Sequence, residues 1–577
     1  MLLIVIMQEF NYLSVKKKNI KKMKKAPFIL LFILGCLPEL LQAQSIVTTK
    51  HNLSVSGTGT VKATSESEIC IFCHTPHNSS PKAPLWNKTI TGTSYTLYNS
   101  STLDAVPGQP DGSSVLCLSC HDGTIALGDV TSRVSLINMS STMPSKSNLG
   151  TDLSNDHPIS FTYNASLATA DGQLKSTPLV TSKLDNNSKL QCTSCHDPHK
   201  ETNPKFLVAS PEFSALCFNC HNRNYWASST HNTSTKVWNN SGTNPWAHMD
   251  NPYPNVSQNA CANCHDSHNA NGKPRLLKYV AEEANCFDCH NGNVAGKNVQ
   301  TDFTKTYKHN VAGYTGVHDP TEATSVTNKH VECQDCHNPH ASNATTANAP
   351  NVNGFNIGVS GINQAGIPVS TASFTYEICY KCHAGNVWSP SPSVPRVLVQ
   401  NNVRLEFNTA NPSYHPIAGT GKNNNVPSLI SPLTESSIIY CTDCHASNNT
   451  AGPKGPHGST YPQILKYNYT LTDNINESST AYALCYSCHS RTSILNDQSF
   501  KEHKKHIVEE RSNCSVCHDS HGISNTQGNS TNNSNLINFR TGIVTSVMGT
   551  IRFRDTGSFR GDCTLRCHGY SHNNKSY

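Results

Sequence analysis

Twelve cysteine pairs, each followed directly by a histidine, are the residues of this chain best suited to chemistry. Eleven pairs have the form Cys-x-x-Cys-His: Cys70/Cys73/His74, Cys117/Cys120/His121, Cys192/Cys195/His196, Cys217/Cys220/His221, Cys261/Cys264/His265, Cys286/Cys289/His290, Cys333/Cys336/His337, Cys379/Cys382/His383, Cys441/Cys444/His445, Cys485/Cys488/His489 and Cys514/Cys517/His518. The twelfth, Cys563/Cys567/His568, has three residues between its cysteines. These pairs use 24 of the 25 cysteines, and the remaining one is Cys36.

Cys-x-x-Cys-His is the pattern to which c-type haem is covalently attached. Two thiols one helical turn apart can reach the two vinyl groups on one porphyrin edge, and the next residue places an imidazole on the iron. Zinc sites and redox disulfides also use Cys-x-x-Cys, but neither requires a histidine after every pair. Histidine accounts for only 29 of 577 residues, so chance does not explain twelve such placements. The sequence therefore predicts twelve covalently bound haem c groups.

The motifs form six doublets, which indicates an array of repeated units rather than one domain. The predicted units are residues 44–150, 151–228, 229–300, 301–400, 401–498 and 499–577. In five doublets a second histidine follows the leading motif as Cys-His-x-x-His: His77, His199, His268, His340 and His521. The fifth doublet has Asn448 at that position.

Each haem iron needs a second axial ligand, and 17 histidines remain outside the motifs. Only four methionines follow the first 43 residues, so bis-histidine ligation is expected. The second histidine of Cys-His-x-x-His lies on the same helix face as the first, so it should bind a neighbouring haem. The predicted distal ligands are His51, His77, His157, His199, His248, His268, His309, His340, His415, His457, His506 and His521. Five histidines are spare: His231, His318, His330, His503 and His572.

The runs at 70–77, 192–199 and 333–340 resemble those of doubled-CxxCH multihaem cytochromes c. That family belongs to respiratory and extracellular electron-transfer chains, and the chain also resembles cytochromes that form haem wires or filaments. The resemblance implies that the histidine after Cys-His-x-Pro is the sixth ligand of a partner haem, with serine replacing proline before His268 and His521. Asn448 departs from the pattern, and His457 in Gly-Pro-His-Gly is the expected substitute.

The elements that must position these motifs are expected to be small. Hydrophobic residues make up 36% of the chain and charged residues 14%, too few for a broad core. We predict a mostly irregular fold with short α-helices and a few β-hairpins, an elongated array organised by haem packing. Motif helices are predicted at Glu68–His77 and Glu282–His290, strands within Val397–Phe407 and Ile543–Phe553, and loops at Ser342–Gly361 and Gly522–Asn535.

Residues 1–43 have the order of a secretory signal peptide: a lysine-rich segment, an apolar run and small residues. The run Ala26–Leu37 is too short to span a bilayer. Cleavage is expected after Ala43, and Met23 is the more natural start. The alternative is a lipid anchor at Cys36, in a sequence that resembles a bacterial lipobox. Either interpretation predicts an exported protein of the periplasm or cell surface.

Charge and ligand supply favour an electron carrier. The net charge of +6 falls to +1 without the leader, and the propionates of twelve haems would make the protein acidic. No basic patch with interleaved aromatic residues indicates nucleic-acid binding. The expected partners are redox proteins, such as cytochromes, quinol-linked donors or outer-membrane complexes, that dock transiently; a homopolymer or filament is compatible with this role. The alternative is a reductase with one open haem acting on a small nitrogen or sulfur oxyanion.

Overall fold

The computed structural model describes residues 46–81, 83–179, 182–314, 319, 330–385 and 391–577, and most of this backbone is irregular. The predicted leader, Cys36 and His318 lie outside the described residues. The α-helices are α1 (Gly112–His121), α2 (Ala165–Asp171), α3 (Cys192–Cys195), α4 (Thr230–Thr233), α5 (Val256–Asn259), α6 (Glu282–His290), α7 (Thr375–His383), α8 (Val403–Glu406), α9 (Cys441–Cys444), α10 (Ala483–Tyr486), α11 (Arg491–Leu495) and α12 (Cys514–Cys517).

Shorter helical turns and strands complete the secondary structure. The 3₁₀ turns are Ile46–Thr48, Cys70–Phe72, Ser145–Ser147, Pro204–Phe206, Glu212–Ser214, Cys217–Asn219, Trp226–Ser228, Ala260–Asn263, Pro274–Leu276, Asp302–Thr304, Val311–Gly313, Cys333–Asp335, Gly354–Asn356, Pro462–Ile464 and Ser534–Leu536, with a π-helical turn at Lys505–Glu509. The strands are β1 (Phe161–Thr162), β2 (Lys189–Leu190), β3 (Tyr307–Lys308), β4 (Gly361–Ile362), β5 (Pro368–Val369), β6 (Ser413–Tyr414), β7 (Gly458–Ser459), β8 (Gly522–Ile523), β9 (Val544–Thr545), β10 (Arg552–Gly557), β11 (Arg560–Cys567) and β12 (Tyr570–Ser576). The predicted class of short helices and small sheets in an irregular chain is confirmed.

A single helical turn is the unit that carries the regular motifs. In eight of them the amide of the motif histidine donates to the carbonyl of the first cysteine, at 2.8–3.0 Å between nitrogen and oxygen. The side chain before the second cysteine helps to start the turn. Asp335, Asp443 and Ser194 each accept a hydrogen bond from the amide that precedes the first cysteine, which satisfies a donor that a helix start leaves unpaired.

The predictions for local structure had mixed outcomes. The predicted helix Glu282–His290 is confirmed as α6, whereas Glu68–His77 contains only the 3₁₀ turn Cys70–Phe72. The loop predictions hold over most of both segments, although β8 and the start of β4 lie at their ends.

The strand predicted in Val397–Phe407 is wrong. Residues Val403–Glu406 form helix α8, because the side chain of Asn402 caps the amide of Arg404. A local cap therefore outweighed the alternating pattern.

Four of the five sheets in the described ranges are antiparallel pairs: β1–β2, β3–β7, β4–β5 and β6–β8. Two of these pairs join one doublet to the next. Lys308 of β3 pairs with Gly458 of β7, and Tyr414 of β6 pairs with Gly522 of β8. The sequence distance between the paired strands is long, so the register of these sheets could not be read from local patterns.

The C-terminal sheet is the largest, with the order β10–β11–β12 and β9 also paired to β11. Strands β9 and β10 lie in or begin within Ile543–Phe553, which confirms strand structure there. The expectation that short helices carry every motif is wrong for the twelfth motif, because Cys563 and Cys567 both lie on β11. The pattern that forms a helical turn elsewhere has one more residue here.

Apolar packing is divided among small clusters rather than gathered in one core. Nine separate groups of buried apolar side chains occur in the described residues, and each has three to five fully buried members. One of them joins Phe161 of β1 to Tyr163 and Leu190. Within the described ranges, no helix has the length and apolar character needed to cross a bilayer.

Strand β1 offers a matched test of this packing, because Phe161 is buried and its neighbour Thr162 is exposed. Replacing Phe161 with alanine should lower the free energy of unfolding by about 3–5 kcal/mol, because it deletes a buried aromatic ring. Thr162→Ala should change that free energy by less than about 0.5 kcal/mol. Denaturant unfolding followed by circular dichroism measures both; equal effects would show that the cluster contributes little.

Candidate haem-binding sites

The cysteines of successive motifs lie near one another in chain order. Within a doublet, the second cysteines of the two motifs interact electrostatically: Cys73/Cys120, Cys195/Cys220, Cys264/Cys289, Cys336/Cys382, Cys444/Cys488 and Cys517/Cys567. Between doublets, the first cysteines lie close enough to shift the pKa of one another: Cys117/Cys192, Cys217/Cys261, Cys286/Cys333, Cys379/Cys441 and Cys485/Cys514. These alternating interactions link each motif to the next one along the chain.

Two predicted attachment cysteines, Cys70 and Cys382, are exposed, whereas the other 22 motif cysteines are half-buried. Burial raises the pKa of Cys336, the doublet partner of Cys382, to about 12.

Cys488 is half-buried, but its thiol lies 3.7 Å from the hydroxyl of the exposed Ser487. The second cysteines of several motifs end a helix or precede its last residue, as Cys382 does in α7 and Cys120 in α1. This place in the helix therefore does not explain why Cys382 is exposed and Cys120 is half-buried.

Histidine rings face one another in pairs of nearly constant spacing. In ten pairs one ring belongs to a motif and the other does not: His74/His199, His121/His51, His196/His268, His221/His157, His265/His340, His290/His231, His337/His457, His383/His309, His445/His521 and His518/His503. Their ring centroids are 6.1–6.5 Å apart. Two imidazoles bound to opposite sides of one metal, each through a bond of about 2 Å, have centroids about 6 Å apart. The spacing fits two axial ligands of a haem iron.

For the motif histidine His489, His415 is the nearby ring. Burial, together with the charge of His415, lowers the pKa of His489 to about 4. His489 also hydrogen-bonds through Nδ1 with the hydroxyl of Ser428, at 3.0 Å. The tenth motif therefore has its own neighbouring imidazole, although its ring spacing is not among the ten above.

Hydrogen bonds at Nδ1 leave Nε2 of many of these histidines free to bind a metal. Among motif histidines, His196 donates to the carbonyl of Lys205 and His265 to that of Arg275, each at 2.8 Å. Among the facing rings, His231 donates to the carbonyl of Pro339 at 2.8 Å. A backbone carbonyl at Nδ1 is the usual arrangement for a metal-binding histidine, because it fixes the tautomer and the ring orientation.

The facing rings follow two rules. A trailing motif faces a histidine that precedes the leading motif of its own doublet, as His51 faces His121. A leading motif faces a histidine from the next doublet, as His199 faces His74. In four doublets the histidine from the next doublet is that of Cys-His-x-x-His, at His199, His268, His340 and His521.

The two facing rings of one doublet are also held side by side. The carbonyl just before the ring from the next doublet accepts the Nδ1–H of the upstream ring: His51 donates to Pro198, His231 to Pro339 and His415 to Ser520. This explains a role for the x-Pro-His sequence, in which proline has no amide and offers only its carbonyl. One short segment thus supplies a ring to one motif and orients the ring of another.

The fifth doublet reaches the same arrangement from a different sequence. His457 faces His337 of the fourth doublet at 6.1 Å, and the preceding carbonyl of Pro456 accepts a hydrogen bond from His309 at 2.8 Å. The side chain of Asn448 donates to the hydroxyl of Thr460, at 2.9 Å, and thereby ties down the segment that carries His457. Asn448 therefore supports the loop that replaces the missing Cys-His-x-x-His histidine.

Three predicted distal ligands, His77, His248 and His506, do not face a motif histidine in the part of the chain that the structure describes. His77 is exposed, and none of the described motif histidines faces it. His248 uses its Nε2 to donate to the carbonyl of Ala262 at 2.9 Å. Two histidines that were predicted to be spare, His231 and His503, face His290 and His518 instead. What distinguishes His231 and His503 from His77 and His248 is their position opposite a motif histidine, which the folded chain determines.

The twelfth motif differs from the others. Nε2 of His568 donates to the carboxylate of Asp473, at 2.8 Å. A further pair of facing rings, His506 and His572, lies nearby with centroids 6.2 Å apart. His506 is a predicted distal ligand, and His572 was predicted to be spare.

Burial favours the neutral form of several facing imidazoles, the form in which histidine binds a metal. Burial lowers the pKa of His196, His290 and His445 to about 4, and the pKa of His221 and His457 to about 3. In contrast to most of the others, Nδ1 of His457 has no hydrogen-bond partner among the described residues.

Two facing rings are held by carboxylates instead of carbonyls. Nδ1 of His268 donates to Asp156 at 2.9 Å, and Nδ1 of His521 donates to Glu406 at 2.8 Å. Burial opposes the charged form of His521, but the charge of Glu406 and this hydrogen bond prevail and raise the pKa of His521. A carboxylate at Nδ1 makes the imidazole a stronger electron donor through Nε2.

Thiol and histidine geometry together fit covalently bound haem. Each regular motif offers two thiols one helical turn apart with an imidazole beside them, and the opposite ring stands at the distance that an iron between them requires. In the part of the chain that the structure describes, no three His, Cys, Asp or Glu side chains form a cluster suited to a bare metal ion.

A family model described as the doubled CXXCH motif matches residues 186–224, 254–295 and 431–493, together about a quarter of the chain. These regions contain the second, third and fifth doublets. The resemblance to doubled-CxxCH multihaem cytochromes c is confirmed there, including in the doublet that has Asn448. No curated protein matches the sequence.

Replacing His457 with alanine should convert about one haem in twelve from low-spin to high-spin, because the iron beside His337 loses its opposite ligand. Electron paramagnetic resonance of the oxidised protein measures the high-spin fraction. His248→Ala is the matched control and should leave the spectrum unchanged, because Nε2 of His248 is bonded to a carbonyl. An unchanged spectrum for His457→Ala would assign that iron to another ligand.

Proposed function

We propose that this chain is an exported electron carrier that holds twelve haem c groups in one continuous series. The observation that carries the proposal is the combination of facing histidines with alternating thiol contacts from the first motif to the last. Haem iron supplies a reversible one-electron change between its ferric and ferrous states. The polypeptide supplies attachment, axial ligands, spacing and electrostatic environment.

The thiol contacts support close spacing of all neighbouring groups. Thiols as close as those of Cys117 and Cys192, which shift the pKa of each other, would attach porphyrin edges that lie near one another. The electrostatic interaction between Cys73 and Cys120 supports the same arrangement within the first doublet. Because the two kinds of contact alternate, no motif is isolated from its neighbours.

Cys382 remains in the proposed set of attachment residues although it is exposed. It still interacts with Cys336, the second cysteine of its doublet partner. A thioether bond needs a thiol that the vinyl group can reach, and an exposed thiol meets that need as well as a buried one. The haem of this trailing motif would therefore have a more accessible edge.

For eleven motifs the proposed axial ligands are the motif histidine and the ring that faces it, with His415 as the partner of His489. This set keeps nine of the distal ligands predicted from the sequence, and a tenth, His506, faces His572 near the twelfth motif. It leaves His77 and His248 without an iron and adds His231 and His503. The leading irons take their second ligand from the next doublet, except in the sixth doublet, where His503 precedes the motif.

A ligand on both sides of each iron favours electron transfer over reduction of a small molecule. A reductase needs an iron with one open position where substrate binds. The facing rings close that position at ten motifs, at 6.1–6.5 Å between centroids. Redox proteins that dock transiently are therefore the proposed partners, and the leader supports a location in the periplasm or at the cell surface.

Intact mass of the mature protein should show twelve haem groups, and a pyridine haemochrome assay should give the same count. The zinc and disulfide interpretations predict no haem mass, and disulfides would leave the thiol pairs two hydrogens lighter per bond. A count of six or fewer would contradict the proposal, whereas a count of eleven would remove only the Cys563/Cys567 site.

The oxidised protein should be low-spin throughout, because each iron is expected to have two imidazole ligands. Optical and electron paramagnetic resonance spectra measure this directly. A substantial high-spin fraction, or rapid binding of cyanide or nitrite to the native protein, would favour the reductase instead.

Replacing Glu406 with glutamine should raise the reduction potential of the haem beside His445. The variant removes the anionic acceptor at Nδ1 of His521, which makes that ligand a weaker electron donor. Spectroelectrochemical titration measures the change. Glu435→Gln removes the same charge at an exposed site and is the control; an equal shift in both variants would show that charge alone, without the hydrogen bond, sets the potential.

A further inference from the structure

In five doublets a short segment after the leading motif folds back on that motif, and we call these segments straps. They are residues 83–87, 204–208, 274–278, 462–466 and 534–538. The amide of the last strap residue donates to the carbonyl of the second motif cysteine, at 2.8–3.0 Å. The apolar residue two places earlier has a positive φ, between +53° and +63°, in every strap: Leu85, Phe206, Leu276, Ile464 and Leu536. Bulky residues rarely adopt this conformation, so the same strained turn recurs along the chain.

In the second and third doublets this apolar strap residue is buried against the first doublet. Phe206 stacks on the ring of His51, with centroids 4.2 Å apart and an angle of 15° between the planes. Leu276 is buried in a cluster with Tyr98. His51 and Tyr98 both belong to the first doublet. The strap is therefore an interface element, through which a doublet contacts an earlier one.

In the first doublet the same position is exposed. Leu85 is 55% exposed, whereas Phe206 is 7% and Leu276 9% exposed. The first strap nevertheless folds back on its motif as the others do, because the amide of Thr75 donates to the carbonyl of Leu85 at 2.9 Å. The first doublet thus presents to solvent the apolar side chain that two later doublets bury.

Two further exposed apolar side chains, Val134 and Leu136, lie on a segment that begins beside this strap. The amide of Thr131 donates to the carbonyl of Asn87, the last residue of the strap, at 3.0 Å. We call Leu85, Val134 and Leu136 together the apolar patch. A group of exposed apolar side chains is a common mark of a surface that binds another protein.

The strap places this patch beside the most exposed motif. Cys70 and His74 are both exposed, a combination that none of the other motifs shows in the described residues. Cys382 is followed by a half-buried histidine, and His568 follows two half-buried cysteines. His199, the ring that faces His74, is exposed as well. On the proposed function, the haem between His74 and His199 would therefore have an accessible edge next to the patch.

We propose that the apolar patch docks a small haem protein with a basic surface, and that electrons cross there through the haem of the first motif. The strap of the second doublet already contacts a facing ring, His51, so this element brings haem sites together elsewhere in the chain. A small patch fits transient docking. The propionates of twelve haems make the loaded chain acidic, which favours a basic partner. One electron passes from the ferrous iron of one haem to the ferric iron of the other. This inference rests on the proposed function, because it requires haem at Cys70 and Cys73.

Stopped-flow absorbance can follow electron transfer from the reduced, haem-loaded, full-length protein to an oxidised basic monohaem cytochrome c. Leu85→Asn combined with Val134→Ser should lower the second-order rate constant about fivefold, because docking loses two apolar contacts. Asparagine tolerates a positive φ and both positions are exposed, so this double variant should fold. Val280→Ser combined with Ile367→Asn is the matched control, because it removes two exposed apolar side chains from the third and fourth doublets. The control should keep the rate of the unmodified protein.

Two further measurements separate docking from damage to the haems. Oxidation by ferricyanide, a small anion that needs no docking patch, should be equally fast in both double variants and in the unmodified protein. The rate with the basic cytochrome should fall as salt is added, because salt screens the attraction between opposite charges. A rate that rises with salt would overturn the choice of a basic partner.

An unchanged rate with the basic cytochrome in the Leu85/Val134 variant would overturn the docking site, as would an equal loss in the control. Self-association of the unmodified protein that this variant abolishes would also overturn the proposal, because a second copy would then occupy the patch. Either result with twelve haems present leaves the proposed electron carrier intact. A count of six or fewer haems would contradict the carrier itself.

Discussion

The facing of two imidazole rings about a common point is the constraint on which the rest of this structure depends. A motif fixes its own histidine through local hydrogen bonds, but the second ring has to arrive from another part of the chain at 6.1–6.5 Å. The two-stranded sheets meet this need. Pairing of Lys308 with Gly458 places His309 beside His457, and pairing of Tyr414 with Gly522 places His415 beside His521. Strands of only two residues are too short to account for their own pairing, so their formation depends on the histidine rings that they align.

This constraint also accounts for the small apolar clusters. Nine separate groups of buried side chains in the described residues cannot hold the doublets together as a single core does. On the proposed function, each porphyrin adds two apolar faces to bury, and its covalent links restrict the unfolded chain much as a disulfide does. Apolar residues can then be few, and asparagine, serine and threonine can fill loops that must turn sharply between rings.

Sequence patterns predicted the features that depend on neighbouring residues in the chain. They missed the features that depend on contacts between distant segments. Motif cysteines and histidines, the helix Glu282–His290 and the substitution of His457 for the position of Asn448 all follow from patterns within a few residues. The choice of His231 over His248 does not, because both lie upstream of the same doublet and only the carbonyl of Pro339, 108 residues after His231, distinguishes them. The exposure of Cys382 was missed as well, because the motif pattern is the same at all eleven regular copies. The C-terminal sheet was missed for a related reason: a motif that elsewhere forms a helical turn was assumed to do so again.

The dependence of each leading motif on the next doublet gives the chain a direction. On the proposed function, in which the chain is exported, a doublet that emerges from a translocation channel would complete its trailing site from residues already exported, because that ring lies upstream. Its leading site stays one ligand short until the following doublet has appeared. Assembly would therefore proceed in the order of the chain. Each newly exported doublet would supply the missing ligand of the preceding leading site, while its own leading site would still lack one. The sixth doublet does not have this dependence. Because His503 precedes its motif, the last leading site needs no ligand from further along the chain.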